Sequence, residues 1–266
     1  MPEKLEDIKT QYSSDGNLNA RIALHARFST NTYGWQRWVF DHLTLGKTAR
    51  ILELGCGPAG LWTANQASIP DGWSYVLTDF SSGMTAAAQQ NLARVRSDFG
   101  IATADAQAIP APDASFDAVI ANHMLYHVPN RVAALSEMRR VLVPGGQMFA
   151  TTVGENHMKE MWDLLLPYVP DIHERTREVS HAFTLENGGE QLGAAFSNVQ
   201  RDDYEDDLAV TEVQPVIDYI RSSNSIMGCE LEPNQWAAIR RTIMAHIDVK
   251  GVFKIRKVSG ILTAAA

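Results

Sequence analysis

Cysteine, clustered positive charge and long apolar runs are all scarce in this sequence. Its 266 residues include two cysteines, Cys56 and Cys229, too few for a disulfide framework, which indicates a reducing, cytoplasmic setting. Lys and Arg number 23 against 31 Asp and Glu, and a net charge of −8 without a basic run argues against a nucleic-acid partner. No apolar stretch reaches the length of a membrane span, and the charged start MPEKLEDIKT lacks a signal-peptide core.

What the sequence does contain is an alternation of short apolar runs with amphipathic segments. A buried strand is predicted at 49–54, and further strands are predicted at 73–80 and in the stretches IATADAQAIP, SFDAVIANHM and QMFATTVG, with helices between the strands. The helix predicted over 129–142 turns Val132, Leu135 and Met138 inward. This alternation predicts a doubly wound α/β sheet.

A glycine-rich stretch, ILELGCGPAG at residues 51–60, follows the first predicted strand. It contains G-x-G-x-x-G at Gly55, Gly57 and Gly60, a pattern typical of a loop that holds a nucleotide cofactor. Asp79 follows 19 residues after Gly60, at the end of the second strand, where a carboxylate can accept hydrogen bonds from ribose hydroxyls. Both a dinucleotide and an adenosine with an amino acid tail satisfy this pattern.

Three residues favour the adenosine with an amino acid tail. Glu53 precedes the glycines, where its carboxylate would repel a pyrophosphate and help to hold a cationic amino group. Pro58 removes an N–H from the loop, and a phosphate cradle gains from every N–H that it keeps. Asp105, at the third strand, can accept a hydrogen bond from an adenine amino group.

Four motifs between residue 51 and about residue 152 occur in the order and spacing of a known family: ILELGCGPAG, LTDFSSGM, ADAQAIPAPDASFDAVIANHMLYHV and RVLVPGGQMFA. Together they resemble the class I S-adenosylmethionine-dependent methyltransferases, in the small-molecule branch that includes the ubiquinone and menaquinone methyltransferases. The resemblance implies a Rossmann-like sheet of seven strands, the last of them antiparallel, with N-terminal helices and a helical lid. It also implies S-adenosyl-L-methionine as the cofactor.

The resemblance further implies a set of cofactor contacts. These are Glu53, Gly55, Gly57 and Gly60 around the methionine part, Asp79, Ser81 and Met84 at the ribose and adenosine, Asp105 and Ala106 at the adenine, and Asn122 beside the reactive methyl group. Tyr12 and Phe28, in an aromatic-rich N-terminal segment, are expected to close the cofactor pocket against water, although helix packing is the alternative for both. Trp35 and Trp38 are expected to be packing residues.

Two histidines are the candidates for catalysis. Methyl transfer requires alignment of nucleophile, methyl and sulfur and, for an acceptor with an acidic proton, a base. His123 and His127 follow the fourth strand, and histidine titrates near neutral pH. The alternative is that His123 offers only its backbone to the cofactor and that His127 packs under the lid. No third ligand accompanies the pair, so no metal is expected.

Substrate contacts are expected from the segment after Gly154, where the alternation of strands and helices ends. His157, Met161, Trp162 and His181 are the candidates, because insertions at the open edge of such a sheet commonly cover the ligand site. Packing in a core or exposure on the surface is the alternative for each. Strands over 198–210 and within GVFKIRKVSGILTAA are expected to complete the sheet.

Four regions are therefore predicted. They are an N-terminal helical cap over 1–45, a cofactor-binding Rossmann-like core over 46–154, a lid insertion over 155–197, and completion of the sheet over 198–266 with a helical insertion at 212–250.

The predicted activity is S-adenosylmethionine-dependent methyl transfer to an oxygen, nitrogen or carbon of a small organic acceptor. An aromatic or apolar molecule of secondary metabolism is expected, with no nucleic acid or membrane partner, and a homodimer is compatible with the sequence. Asn122-His123-Met124-Leu125 departs from the proline-rich motif of amide and base nitrogen methyltransferases, which disfavours those acceptors. Two alternatives stay open: an NAD(P)-dependent oxidoreductase, and a non-catalytic S-adenosylmethionine-binding module.

Overall fold

The computed structural model describes residues 15–95, 99–223 and 227–266. Its strands, in chain order, are β1 (Ala49–Leu54), β2 (Trp73–Asp79), β3 (Phe99–Thr103), β4 (Phe116–Asn122), β5 (Leu142–Val153), β6 (Ser197–Tyr204), β7 (Asp207–Val210), β8 (Phe253–Arg256) and β9 (Ser259–Ala265). The α-helices are α1 (Asp15–Phe28), α2 (Trp35–Asp41), α3 (Gly60–Ala64), α4 (Ser82–Leu92), α5 (Arg131–Val141), α6 (Lys159–Asp163), α7 (Ile172–Ser180), α8 (Gly188–Gly193), α9 (Val213–Arg221) and α10 (Pro233–Lys250). Short 3₁₀ helices lie at Gln66–Ser68 and Leu125–His127.

Seven strands form one sheet in the order β3-β2-β1-β4-β5-β9-β6. Neighbours among β1 to β5 are parallel, whereas β9 runs antiparallel to both β5 and β6. The predicted doubly wound, Rossmann-like sheet with an antiparallel last strand is confirmed. The chain builds outward from β1 to β3 and then returns to β4, so the strand order reverses between β1 and β4. In sheets of this kind, ligands bind at the carboxyl ends of the strands at this reversal.

The central strands are buried on both faces. All residues of β1 except Arg50 are buried, and residues 118–121 of β4 are fully buried. Two apolar clusters cover the two faces: Leu52 and Val119 belong to one, and Ile51 and Ile120 to the other. Double burial requires an almost continuous apolar run, and this is why the apolar runs of the sequence located these strands.

The inward face of α5 differs from the predicted one. Leu135 and Met138 are buried as expected, together with Ala134 and Val141, but Val132 is 81% exposed. At 100° per residue the four buried positions fall within an arc of about 120°, and Val132 lies about 60° outside that arc, beyond Leu135.

Two compact units make up the chain. The sheet unit comprises residues 33–154, 182–204 and 259–266, and it holds the seven-stranded sheet. The second unit comprises the described residues up to Thr32 together with 155–181 and 205–258. It contains the antiparallel pair β7–β8 and an apolar core of its own. Residues 33–45 and 182–197 belong to the sheet unit.

Two of the expected strands are each divided in the structure. Residues 198–210 were expected to form one strand, but β6 ends at Tyr204 and β7 pairs with β8 instead of joining the larger sheet; the last predicted strand divides likewise into β8 and β9. The two interruptions contain Asp206 and Lys257, whose side chains form an ion pair that is almost completely buried in the second unit. Asp206 also accepts a hydrogen bond from the backbone N–H of Asn31 (2.9 Å). A buried charge requires such partners, and the backbone turns at both residues to provide them.

No helix within the described ranges combines the length and the apolar content that a bilayer crossing requires.

Candidate active site

The glycine loop connects β1 to α3 through three residues with left-handed backbone. These are Gly55 (φ +68°), Gly57 (φ +53°) and Ala59 (φ +62°). A Cβ atom on Gly55 would lie 2.7 Å from the Cβ of Met124, so only glycine permits this close approach of the two segments. At Gly57 a Cβ would meet no atom within 4 Å. The loop therefore packs tightly against the segment after β4 on one side and is open at Gly57, where a ligand can approach the backbone.

Glu53 is the buried acid of this site. Glu53 is 2% exposed, and its carboxylate accepts hydrogen bonds from Trp62 Nε1 (2.6 Å) and Asn122 Nδ2 (3.0 Å). Burial raises the pKa of Glu53 to about 7, against the opposing effect of the two N–H donors and with a smaller contribution from the charge of Asp79. A carboxyl group in this state ionises readily when a cation binds beside it.

Asp79 lies at the end of β2, and backbone N–H groups hold it against the glycine loop. Its Oδ2 accepts from Gly57 N (2.9 Å) and its Oδ1 accepts from Ser81 N (2.8 Å). Burial raises the pKa of Asp79, partly offset by these backbone donors. Because a carboxylate has about four lone-pair positions, it keeps acceptor capacity for hydroxyl groups. Ser81 is the N-cap of α4, and its hydroxyl accepts from the backbone N–H of Met84, a buried residue.

Asp105 follows β3 at the same edge of the sheet, and its loop holds it in place. Its carboxylate accepts from the backbone N–H of Gln107 (2.8 Å) and from the side-chain amide of the same residue (3.0 Å). Gln107 in turn accepts from the backbone N–H of Asn130, at the start of α5. The neighbouring Ala106 is buried. Asp105 is thus fixed by contacts within its own loop, and Gln107 links that loop to the N-cap of α5.

The segment after β4 places one of the candidate histidines beside the glycine loop. His123 has left-handed backbone (φ +49°), and its N–H is within 3.1 Å of both the carbonyl and the hydroxyl oxygen of Thr151 on β5. Its imidazole packs against the indole of Trp35, with ring centroids 5.1 Å apart. His127 ends the 3₁₀ helix, and its ring packs edge-on against Tyr126.

The structure adds Trp62, Thr151 and Trp35 to the predicted site. Trp62 and Thr151 were not among the predicted residues, and Trp35 was expected only to pack within its helix. Each contacts a predicted residue through an interaction between different elements. Strand register, which places Thr151 opposite Asn122, cannot be read from a single sequence.

The remaining predicted residues lie in the second unit. Phe28, Met161 and Trp162 are buried in its apolar core. His157 Nδ1 lies 3.0 Å from the carbonyl oxygen of Val258, and His181 Nδ1 lies 3.3 Å from a carboxylate oxygen of Glu155. Contact of any of them with cofactor or substrate stays a prediction. Tyr12 lies outside the described residues.

A metal-ligand arrangement of three or more His, Cys, Asp or Glu side chains does not occur within residues 15–95, 99–223 and 227–266.

Residues 52–150 match a family model described as a methyltransferase domain. They span the glycine loop, the segment after β4 and the three acids Glu53, Asp79 and Asp105. This segment is a methyltransferase domain. Demethylmenaquinone methyltransferase of Beutenbergia cavernae is 39% identical to the chain over 114 residues, which are 43% of this chain and 45% of that protein. Ubiquinone/menaquinone biosynthesis C-methyltransferase of Pectobacterium carotovorum is 25% identical over 129 residues, 48% of this chain and 51% of that protein. The chain thus spans about half the length of these relatives.

Solved structures share the fold of this chain over most of its length. Phosphoethanolamine N-methyltransferase 2 of Haemonchus contortus, in complex with S-adenosyl-L-methionine, superposes with a TM-score of 0.57 at 16% identity, over 95% of this chain and 57% of that one. The [4+2]-cyclase SpnF superposes with a TM-score of 0.54 at 18% identity, over 86% of this chain and 79% of that one. The chain therefore shares the fold of these proteins, and fold alone does not decide the reaction.

The raised pKa of Glu53 predicts a characteristic dependence of stability on pH. Its pKa is 4.5 when unperturbed and about 7 in the folded chain, so the folded state keeps the proton longer and stability is lost as pH rises between these values. Glu53→Gln removes this titration. From pH 5 to pH 8, without ligand, the unfolding free energy of the variant should rise relative to wild type by roughly 2–3 kcal/mol. Urea unfolding at the two pH values measures this, and parallel pH profiles would contradict it.

Proposed function

We propose that this chain is a methyltransferase that binds S-adenosyl-L-methionine and transfers its methyl group to a small organic acceptor. The observation that carries the proposal is the presence of two carboxylates at the glycine loop within the methyltransferase domain, the buried Glu53 before the loop and Asp79 bonded to Gly57 N. The two carboxylates suit a ligand that is cationic at one end and carries hydroxyl groups. The complex of the Haemonchus contortus enzyme with this cofactor supports the choice.

Each part of the cofactor has residues that would hold it. Asp79 would accept hydrogen bonds from the ribose hydroxyls, and Glu53 would balance the charge of the amino group. Met84, Asp105 and Ala106 would bind the adenine. When bound, the cofactor supplies an electrophilic methyl group on a sulfonium centre. The main task of the chain is then to align an acceptor with that group, which contributes to rate through proximity and orientation.

A dinucleotide is the weaker candidate because of the charges and donors of the loop. The carboxylate of the buried Glu53 opposes an anionic pyrophosphate, whereas Asp79 would suit the ribose of either cofactor. Pro58 has no N–H to donate, and its carbonyl oxygen already accepts a hydrogen bond from Asn91 (2.9 Å). These features favour the tailed adenosine over the NAD(P) of an oxidoreductase.

His123 is the best-placed candidate for contact with the acceptor. It follows β4 directly, beside the glycine loop, and the Trp35 indole supports its imidazole. An imidazole there would accept the proton that an oxygen, nitrogen or activated carbon nucleophile loses as the new bond forms. The aromatic surroundings favour an apolar or aromatic acceptor, and the quinone methyltransferases among the relatives support a quinol-like ring.

Loss of the Asp79 carboxylate should weaken cofactor binding. Asp79→Asn removes a charge-assisted acceptor from the ribose, so the affinity for S-adenosylhomocysteine should fall by about 10- to 100-fold, or roughly 1.5–3 kcal/mol. Asp117→Asn is the matched control, because Asp117 lies at the opposite end of the same sheet and pairs with Arg50. Isothermal titration calorimetry measures both. Equal affinity of the two variants would mean that the ribose is held elsewhere.

The two histidines should differ in their effect on turnover. His123→Gln should lower the rate of transfer from radiolabelled S-adenosylmethionine to a panel of reduced naphtho- and benzoquinones by about 100-fold, with the affinity for S-adenosylhomocysteine within about threefold of wild type. His127→Gln should have a smaller effect. A large loss in His127→Gln alone would move the acceptor contact to His127, and unchanged rates in both variants would exclude a histidine base.

A further inference from the structure

Thr151 contacts two residues of the candidate site, Asn122 on the cofactor side and His123 on the acceptor side. It is fully buried on β5, directly opposite Asn122 in the register of β4 and β5. Its hydroxyl donates to Asn122 Oδ1 (3.2 Å) and accepts from the backbone N–H of His123 (3.1 Å). One side chain thus bonds both to an expected cofactor residue and to the candidate acceptor residue.

The single hydroxyl proton of Thr151 sets the direction of the hydrogen bonds around it. Because the proton goes to Asn122 Oδ1, the side-chain amide must present its Nδ2 group on the other side, where it donates to Glu53 (3.0 Å). The second carboxylate oxygen of Glu53 accepts from Trp62 Nε1 (2.6 Å). The hydrogen bonds therefore all run in one direction, with Thr151 donating to Asn122 and Asn122 donating to Glu53 before the glycine loop.

The same hydroxyl stabilises an unusual backbone conformation at His123. A non-glycine residue at φ +49° carries a steric cost, and neighbouring contacts must hold it there. The His123 N–H has two acceptors on Thr151, the hydroxyl and the carbonyl oxygen. The Trp35 indole supports the other end of the residue, at the imidazole.

We propose that Thr151 is a positioning residue, which through its hydroxyl aligns His123 for the acceptor and orients Asn122 to donate to Glu53 at the cofactor. The inference deepens the proposed function and rests on it. Thr151 itself touches neither reactant. It acts on the acceptor side by holding the backbone of His123, and on the cofactor side by fixing the amide of Asn122.

The cofactor side of this role has a consequence for pH dependence. The N–H donors of Trp62 and Asn122 favour the ionised form of Glu53, while burial and the nearby Asp79 oppose it; the thiol of Cys56 is the other titratable group that interacts with it. Without the Thr151 hydroxyl, Asn122 is free to rotate its amide and lose this donation. The pKa of Glu53 should then rise, so cofactor affinity should fall most at low pH.

Three substitutions separate this role from a general packing effect. Thr151→Val removes the hydroxyl at nearly constant shape, and Thr151→Ser restores it. Thr152→Val is the matched control, since Thr152 is equally buried on the same strand and its hydroxyl donates to the carbonyl oxygen of Phe183 instead (2.7 Å). Binding of S-adenosylhomocysteine is measured by calorimetry at pH 6.5 and 8.5, and turnover is measured with the quinol panel.

The expected result is a loss specific to Thr151→Val. Turnover should fall about tenfold, and the ratio of its dissociation constants at pH 6.5 and 8.5 should exceed that of wild type by at least about threefold. Thr151→Ser should lie within about twofold of wild type in both. If Thr151→Val and Thr152→Val give the same turnover and the same pH ratio, the proposal is overturned.

A measurement on the unmodified protein keeps the test independent of variant stability and of the cofactor. In ¹H–¹⁵N spectra recorded between pH 5.5 and 8.5, the side-chain amide of Asn122 should shift with the ionisation of Glu53, near pH 7. An Asn122 amide that does not titrate would overturn the orientation proposed here. If wild type gives no heat with S-adenosylhomocysteine, the proposed cofactor is wrong, and this titration still decides by itself whether Asn122 is oriented to donate to Glu53.

Discussion

The buried carboxylate of Glu53 is the constraint on which the rest of the site depends. It interrupts the apolar face of the central strand β1, and a buried acid is costly unless donors or a cation meet it. Trp62, on α3, and Asn122, at the end of β4, both donate hydrogen bonds to the Glu53 carboxylate. The left-handed residues of the glycine loop allow the turn from β1 into the short helix that carries Trp62. The same acid therefore ties together the loop, the following helix and the neighbouring strand.

This arrangement leaves an electrostatic preference at the carboxyl ends of β1 and β2. The pKa of Glu53 is raised to about 7, so this carboxyl is close to half-ionised at neutral pH. Asp79 is held in place by the backbone N–H groups of Gly57 and Ser81. A cation at Glu53 favours ionisation of that carboxyl, and hydroxyl groups complement Asp79. Phosphate gains little from either acid. The preference for a tailed adenosine thus follows from residues inside the glycine motif as much as from the glycines themselves.

The features that the sequence predicted well are those set by local pattern. Apolar runs located the doubly buried strands, and the acids Glu53 and Asp79 stand at strand ends that the glycine pattern marks. The features it missed depend on pairing between distant segments. Thr151 matters through its register opposite Asn122, and the strands near Asp206 and Lys257 divide because two charges far apart in sequence pair in a buried position. Trp35 has the spacing of a packing residue, and only its contact with His123 gives it a place in the site.

Proton release on cofactor binding tests the central claim most directly. At pH 7 Glu53 is about half protonated in the free protein, and pairing with the amino group of S-adenosylhomocysteine should drive it to the ionised form. Calorimetry in buffers of different ionisation enthalpy should therefore detect the release of about half a proton per site, which Glu53→Gln should abolish. Binding without proton release, or release that persists in Glu53→Gln, would contradict the role assigned to this acid. An absence of binding to folded wild-type protein would contradict the proposed cofactor.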